Sequence, residues 1–177
     1  MRVDGVWGRR EKMSQELLLS IYGQRHKAVS GMPLTTYWRG ELLTYWQLSG
    51  ELEQLIADKD EMSRTEFAWH YPRTLATVRQ IAEELRRYFG RNRQGGRRIN
   101  IDPDTRDLID GFMDAEDDIS SLQQQRETVK ACLHYRQDAE AEAEAYRRDL
   151  DRLDSKVLEV AARRQEIIDS LEVMGPL

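Results

Sequence analysis

The chain is short of the residues that define several protein classes. It has one cysteine, Cys132, four prolines, and no apolar run near the roughly 18 residues of a membrane-crossing helix. A lone cysteine forms no disulfide within the chain and suits a reducing compartment. So little proline leaves too few turn signals for an all-β fold. No apolar stretch follows Arg9 and Arg10, so no signal peptide is expected, and the location expected is cytoplasmic, or the virion if phage-encoded.

Motifs of chemistry are missing too. There is no Walker sequence and no G-x-G-x-x-G after a strand. The histidines His26, His70 and His134 lack a second cysteine or an H-x-x-x-H pattern to complete a zinc site. Cys132 and His134 are two apart and point in different directions on a helix. Asn100, Asp102 and Asp104 alternate like the start of a calcium loop. Thr105, however, stands at the glycine position and Gly111 at the bidentate glutamate position. The expectation is a protein without catalytic residues, metal, cofactor or small-molecule substrate, and therefore not an enzyme.

Aromatic rings and charge are plentiful. Four Trp, seven Tyr and three Phe argue against a disordered chain. The 33% of charged residues is high for a compact sphere and suits long solvated helices. Charge is also polarised: residues 14–101 carry +3 and residues 102–177 carry −10. Such asymmetry marks two faces with different partners.

Helix signals run almost throughout. Residues 1–13 read as a tail. Gly8 to Lys12 can be encoded almost wholly by purines, and directly before Met13 that pattern resembles a translated ribosome-binding site, with an ordinary basic tail as the equal alternative. Residues 14–90 read as a helical domain. Ser14 caps a first helix. Thr35 or Thr36 caps a second with the stripe Trp38, Leu42, Tyr45, Leu52 and Ile56. Ser63 and Glu66 form a capping box for a short third helix ending at Tyr71. Pro72 opens a fourth, with the stripe Leu75, Val78, Ala82, Leu85 and Phe89 and a C-terminal Gly90.

Residues 91–101 read as an Arg/Gly-rich loop, and Asp102-Pro103 restarts the helix. In 102–173 one heptad register runs from Leu108 to Leu133 and another from Ala139 to Leu171. They disagree by about one residue near Arg136, which marks either a stammer in a coiled coil or a bend between two helices. The fold class expected is all-α: an N-terminal helical bundle followed by a long coiled-coil-like arm or hairpin.

Two sets of residues are candidates for contact. Arg86, Arg87, Arg91, Arg93, Arg97 and Arg98 lie within thirteen residues free of acid, beside Tyr88. Arginine forks and aromatic rings suit DNA or RNA. The competing role is neutralisation of the acidic run Asp102 to Asp118. Leu150, Leu153, Val157, Val160, Ile167 and Leu171, with Trp38 and Trp46, are candidate interface residues, since one helix cannot cover its own stripe.

The functional expectation is a helical subunit of a larger prokaryotic or phage assembly, joined through its C-terminal helices as a homo-oligomer or hetero-complex. The layout of N-terminal helices and coiled arm is similar to that of phage small terminase subunits, and this implies nucleic-acid recognition. A third expectation is an acidic inhibitor or antitoxin that binds a protein.

Overall fold

A computed structural model describes residues 34–95 and 99–174. The first expected helix, the tail, Arg97 and Arg98 lie outside them. The described chain is all-α. Helix α1 spans Leu34–Ala57, a single 3-10 turn spans Lys59–Glu61, and α2 spans Arg64–Tyr88. Helix α3 spans Pro103–Tyr135 and α4 spans Glu140–Val173. No helix among the described residues is long and apolar enough to cross a membrane.

The chain divides into two compact units. One holds the described residues up to Tyr88 together with Gln94–Asp102. The other holds Phe89–Arg93 and the residues from Pro103 onward. Of the expected Arg/Gly-rich loop, residues 91–93 thus fall in the second unit and residues 94 and 95 in the first.

In the first unit α2 folds back on α1. The Tyr37 hydroxyl donates to Glu84 Oε2 at 3.4 Å, and Trp38 packs edge-on to Tyr88 with centroids 5.4 Å apart. The buried line on α1 is Trp38, Glu41, Leu42, Leu48 and Leu55. This corrects the expected stripe: Ile56 is 54% exposed, and Tyr45 and Leu52 are half-buried. Two heptad lines, 41–48–55 and 42–49–56, run side by side on this helix. The acid at Glu41 disguised the line that wins. On α2 the buried line is His70, Thr74, Thr77, Ile81 and Leu85, so Leu75, Val78 and Ala82 sit at its half-buried edge.

Three boundaries differ from expectation in instructive ways. Helix α1 already includes Leu34, so neither Thr35 nor Thr36 caps it. Instead the Thr35 hydroxyl accepts the Asp102 N–H at 3.1 Å. Ser63 caps as expected, with its Oγ accepting the Glu66 N–H at 3.1 Å. But that helix does not end at Tyr71: α2 runs straight through Pro72. Proline gives the Ala68 carbonyl no N–H. One residue on, the Arg73 guanidinium folds back, donates to the Trp69 carbonyl at 2.8 Å and lies 4.3 Å from the Trp69 ring centroid. Tertiary packing of the α2 face then outweighs the local cost.

The second unit is an antiparallel helical hairpin, so the change of register near Arg136 is a bend between two helices. Arg126 pairs with Asp154, Glu116 with Arg164, and Asp118 with Arg163, an order that requires α4 to run back along α3. Each helix is about 50 Å long at 1.5 Å per residue. The turn uses exposed Arg136, Gln137 and Asp138, closed by the Ala139 N–H donating to the Arg136 carbonyl at 3.1 Å. Buried apolar residues gather near the base of the hairpin: Ile109, Phe112, Met113, Ala115, Ile119, Ile167, Ile168 and Leu171. Farther out, Leu122, Val129, Leu133, Tyr146, Leu150, Val157 and Val160 are only half-buried, with Leu153 and Ala143 as the buried exceptions.

Candidate functional site

Where α2 ends, the chain turns onto the acidic face of α3. Tyr88 is the last helical residue and Gly90 adopts φ +87°, the left-handed conformation that glycine tolerates best. Its N–H donates to Asp110 Oδ1 at 2.8 Å. The Arg91 N–H donates to Asp114 Oδ1 at 2.8 Å, and the Asn92 amide donates to Asp117 Oδ2 at 3.0 Å. The Arg91 guanidinium pairs with Asp118. Four aspartates spaced over two turns of one helix face therefore hold three consecutive residues, Gly90 to Asn92.

Asp118 is a junction. Its Oδ1 accepts Arg91 and its Oδ2 accepts Arg163 Nη2 at 3.3 Å, so one carboxylate joins the 89–93 segment, α3 and α4. The hydrogen bond that Arg91 donates to Asp118, and then the negative charge of that carboxylate, hold the guanidinium above its ordinary pKa. Arg164 reaches Glu116 Oε1 at 2.5 Å on the same hairpin. Immediately outward from Asp118 the hairpin carries a groove of about 320 Å³, lined by Asp118, Ser121, Leu122 and Gln125 of α3 and by Lys156, Glu159 and Val160 of α4.

The basic cluster is divided. Arg86 and Arg87 are exposed on α2 of the first unit, where Tyr88 packs against Trp38. Arg91 and half-buried Arg93 belong to the second unit. After Arg93 the chain returns to the first unit. There the Gln94 N–H donates to the Arg86 carbonyl at 3.1 Å and the Gly95 N–H donates to the Arg87 carbonyl at 2.8 Å. A Cβ at Gly95 would stand 2.6 Å from that carbonyl oxygen, so only glycine allows the approach. The described arginines are thus spread over two bodies, and Arg91 is committed to an acid of its own unit.

The candidate interface residues fall into two groups. Leu153, Ile167 and Leu171 are buried within the chain itself, at 2%, 9% and 0% exposure, and Trp38 is buried against Tyr37 and Tyr88. Leu150, Val157, Val160 and Trp46 are half-buried. Leu153→Asp would therefore place a charge inside the hairpin seam and unfold it rather than probe an interface. Cys132 is half-buried, and the exposed His134 lies edge-on to Tyr135. Among the described residues no group of three His, Cys, Asp or Glu side chains could hold a metal ion.

Sequence reasoning offered a hairpin as one of two readings of 102–173, and neutralisation of Asp102 to Asp118 as one of two roles of the basic loop, but it did not single out Asp118. The signal for the hairpin was the pair of heptad registers that disagree near Arg136, where the structure places the turn. Neither a family model, nor a curated protein, nor a solved structure matches the chain.

Proposed function

We propose that this protein is a non-enzymatic helical assembly subunit that self-associates through the outer part of its α3–α4 hairpin. One observation carries the reading. Over a hairpin about 50 Å long, the outer seam residues Leu122, Val129, Leu133, Leu150, Val157 and Val160 remain half-exposed. Two helices alone cover only the inner side of a heptad stripe, and further helices are needed to cover its flanks. The hairpin face is charged but mixed in sign, which favours a protein partner over a phosphate backbone.

Sedimentation velocity over a wide concentration range tests the proposal. The full chain should associate reversibly, and the double substitution Val129→Gln with Val157→Gln should shift it toward monomer while its circular dichroism stays helical. A wild-type chain that sediments as a monomer at every concentration rejects the reading. Nucleic acid is tested on the same sample with a fluorescent duplex and a single strand at low salt. Because Arg91 is held by Asp118, neither is expected to bind. Binding that weakens on Arg86→Ala and Arg87→Ala would instead make the basic cluster a contact site.

A further inference from the structure

The groove beyond Asp118 has a property that an ordinary solvated helix face lacks. Its apolar lining is the half-buried Leu122 and Val160, and on the α4 side it carries Lys156 and Glu159, both exposed. Several nearby charges on α4 are matched inside the chain: Arg152 with Asp149, Arg163 with Asp118, Arg164 with Glu116, and Asp154 with Arg126. Lys156 and Glu159 are not matched with any described residue. Their order explains why they ignore each other, since a lysine N-terminal to a glutamate on one helix is the less favourable orientation for pairing.

We infer that this groove is a self-pairing surface. Across a two-fold axis, Leu122 and Val160 pack on the same residues of a second copy, and each Lys156 reaches Glu159 of the other. The inference rests on the proposed function and names the residues that would carry it. An isologous contact needs a patch complementary to itself, which means an apolar centre beside one positive and one negative group. The groove has this composition on adjacent turns of α4. Other occupants fit less well: Glu159 repels a phosphate backbone, and Lys156 opposes a basic peptide. At its inner end the groove meets Asp118, which Arg91 and Arg163 already occupy, so the patch is bounded to one short stretch of hairpin. A second hairpin laid on this stretch would also cover the outward flanks of Leu122 and Val160 and complete a four-helix arrangement.

Charge reversal tests the inference on the full chain. Lys156→Glu alone sets glutamate against glutamate across the axis, and Glu159→Lys alone sets lysine against lysine. Each should raise the dimer dissociation constant on the order of tenfold in sedimentation velocity at moderate salt. An equimolar mixture of the two variants should recover association to within about threefold of wild type, because every cross-axis pair in the mixed dimer is again Glu–Lys. The double variant Lys156→Glu with Glu159→Lys should recover it as well. Both positions are exposed, so circular dichroism of each variant should match wild type, which separates loss of pairing from loss of fold. Wild-type association that neither single reversal weakens, or a mixture no stronger than its components, overturns the groove as the pairing surface. If Val129→Gln with Val157→Gln still disrupts such a complex, the hairpin reading stands without it. A wild-type monomer at every concentration overturns both.

Discussion

Arg91 and Asp118 form an ion pair across 27 residues of chain, and the second oxygen of the same carboxylate accepts Arg163 at 3.3 Å. A residue from the loop and one from α4 are thereby fastened to one point on α3. The segment between Phe89 and Arg93 is part of the hairpin unit for this reason, although the sequence pattern reads Phe89 and Gly90 as the end of the preceding helix.

Asp118→Asn should lower the thermal midpoint by a few degrees at low salt and by much less at high salt, because the side chains involved are largely exposed and are screened. The pH dependence follows from the raised pKa of Arg91. A cation whose folded pKa is raised contributes its stability fully below the unfolded value and loses it only as pH rises through the folded one. Both lie in the extreme alkaline range for arginine, so the difference between wild type and Asp118→Asn should be the same at about pH 7 and about pH 9. Calorimetry at two salt concentrations and two pH values checks both points.

Gly90→Ala and Gly111→Ala should move stability in opposite directions. Gly90 has φ +87°, and a Cβ there would stand 3.0 Å from Met113 Cβ, so alanine should cost about 1–2 kcal/mol or more. Gly111 is an ordinary residue of α3, and its added Cβ meets only the flexible Ile167 Cδ1 at 3.2 Å. Alanine there should stabilise by up to about 1 kcal/mol. Urea denaturation of the two variants measures the contrast.

Pro72→Ala should raise stability by about 1–3 kcal/mol, since it restores an N–H to the Ala68 carbonyl inside a continuous α2. A fall in stability would show that proline at this position helps to bring His70 and Thr74 into the core.

Phe112→Ala should cost about 3–5 kcal/mol, because the ring is fully buried at the base of the hairpin. Leu158→Ala should change stability by less than about 0.5 kcal/mol, because Leu158 is 72% exposed. Equal effects in chemical denaturation would mean that Leu158 is covered in solution, which would point to a contact on the opposite side of the hairpin from the groove.

Local residue chemistry alone determined the helical class, the Ser63 cap, the Gly90 stop, the start at Asp102-Pro103 and the discontinuity near Arg136. Each depends on contacts within a few residues, where backbone sterics and hydrogen bonding act without regard to the rest of the chain. Tertiary structure alone decided which of two adjacent heptad lines on α1 is buried, that α2 continues through Pro72, and that α4 reverses onto α3. It also decided that Arg91 is spent on Asp118. These outcomes balance the burial of one face against another, or a local cost against distant packing, and short-range patterns do not contain that balance. The same reason explains the candidate sites. The arginine cluster was visible as composition, but its division between two units and the self-complementary pair Lys156 and Glu159 depend on which charges the fold had already matched.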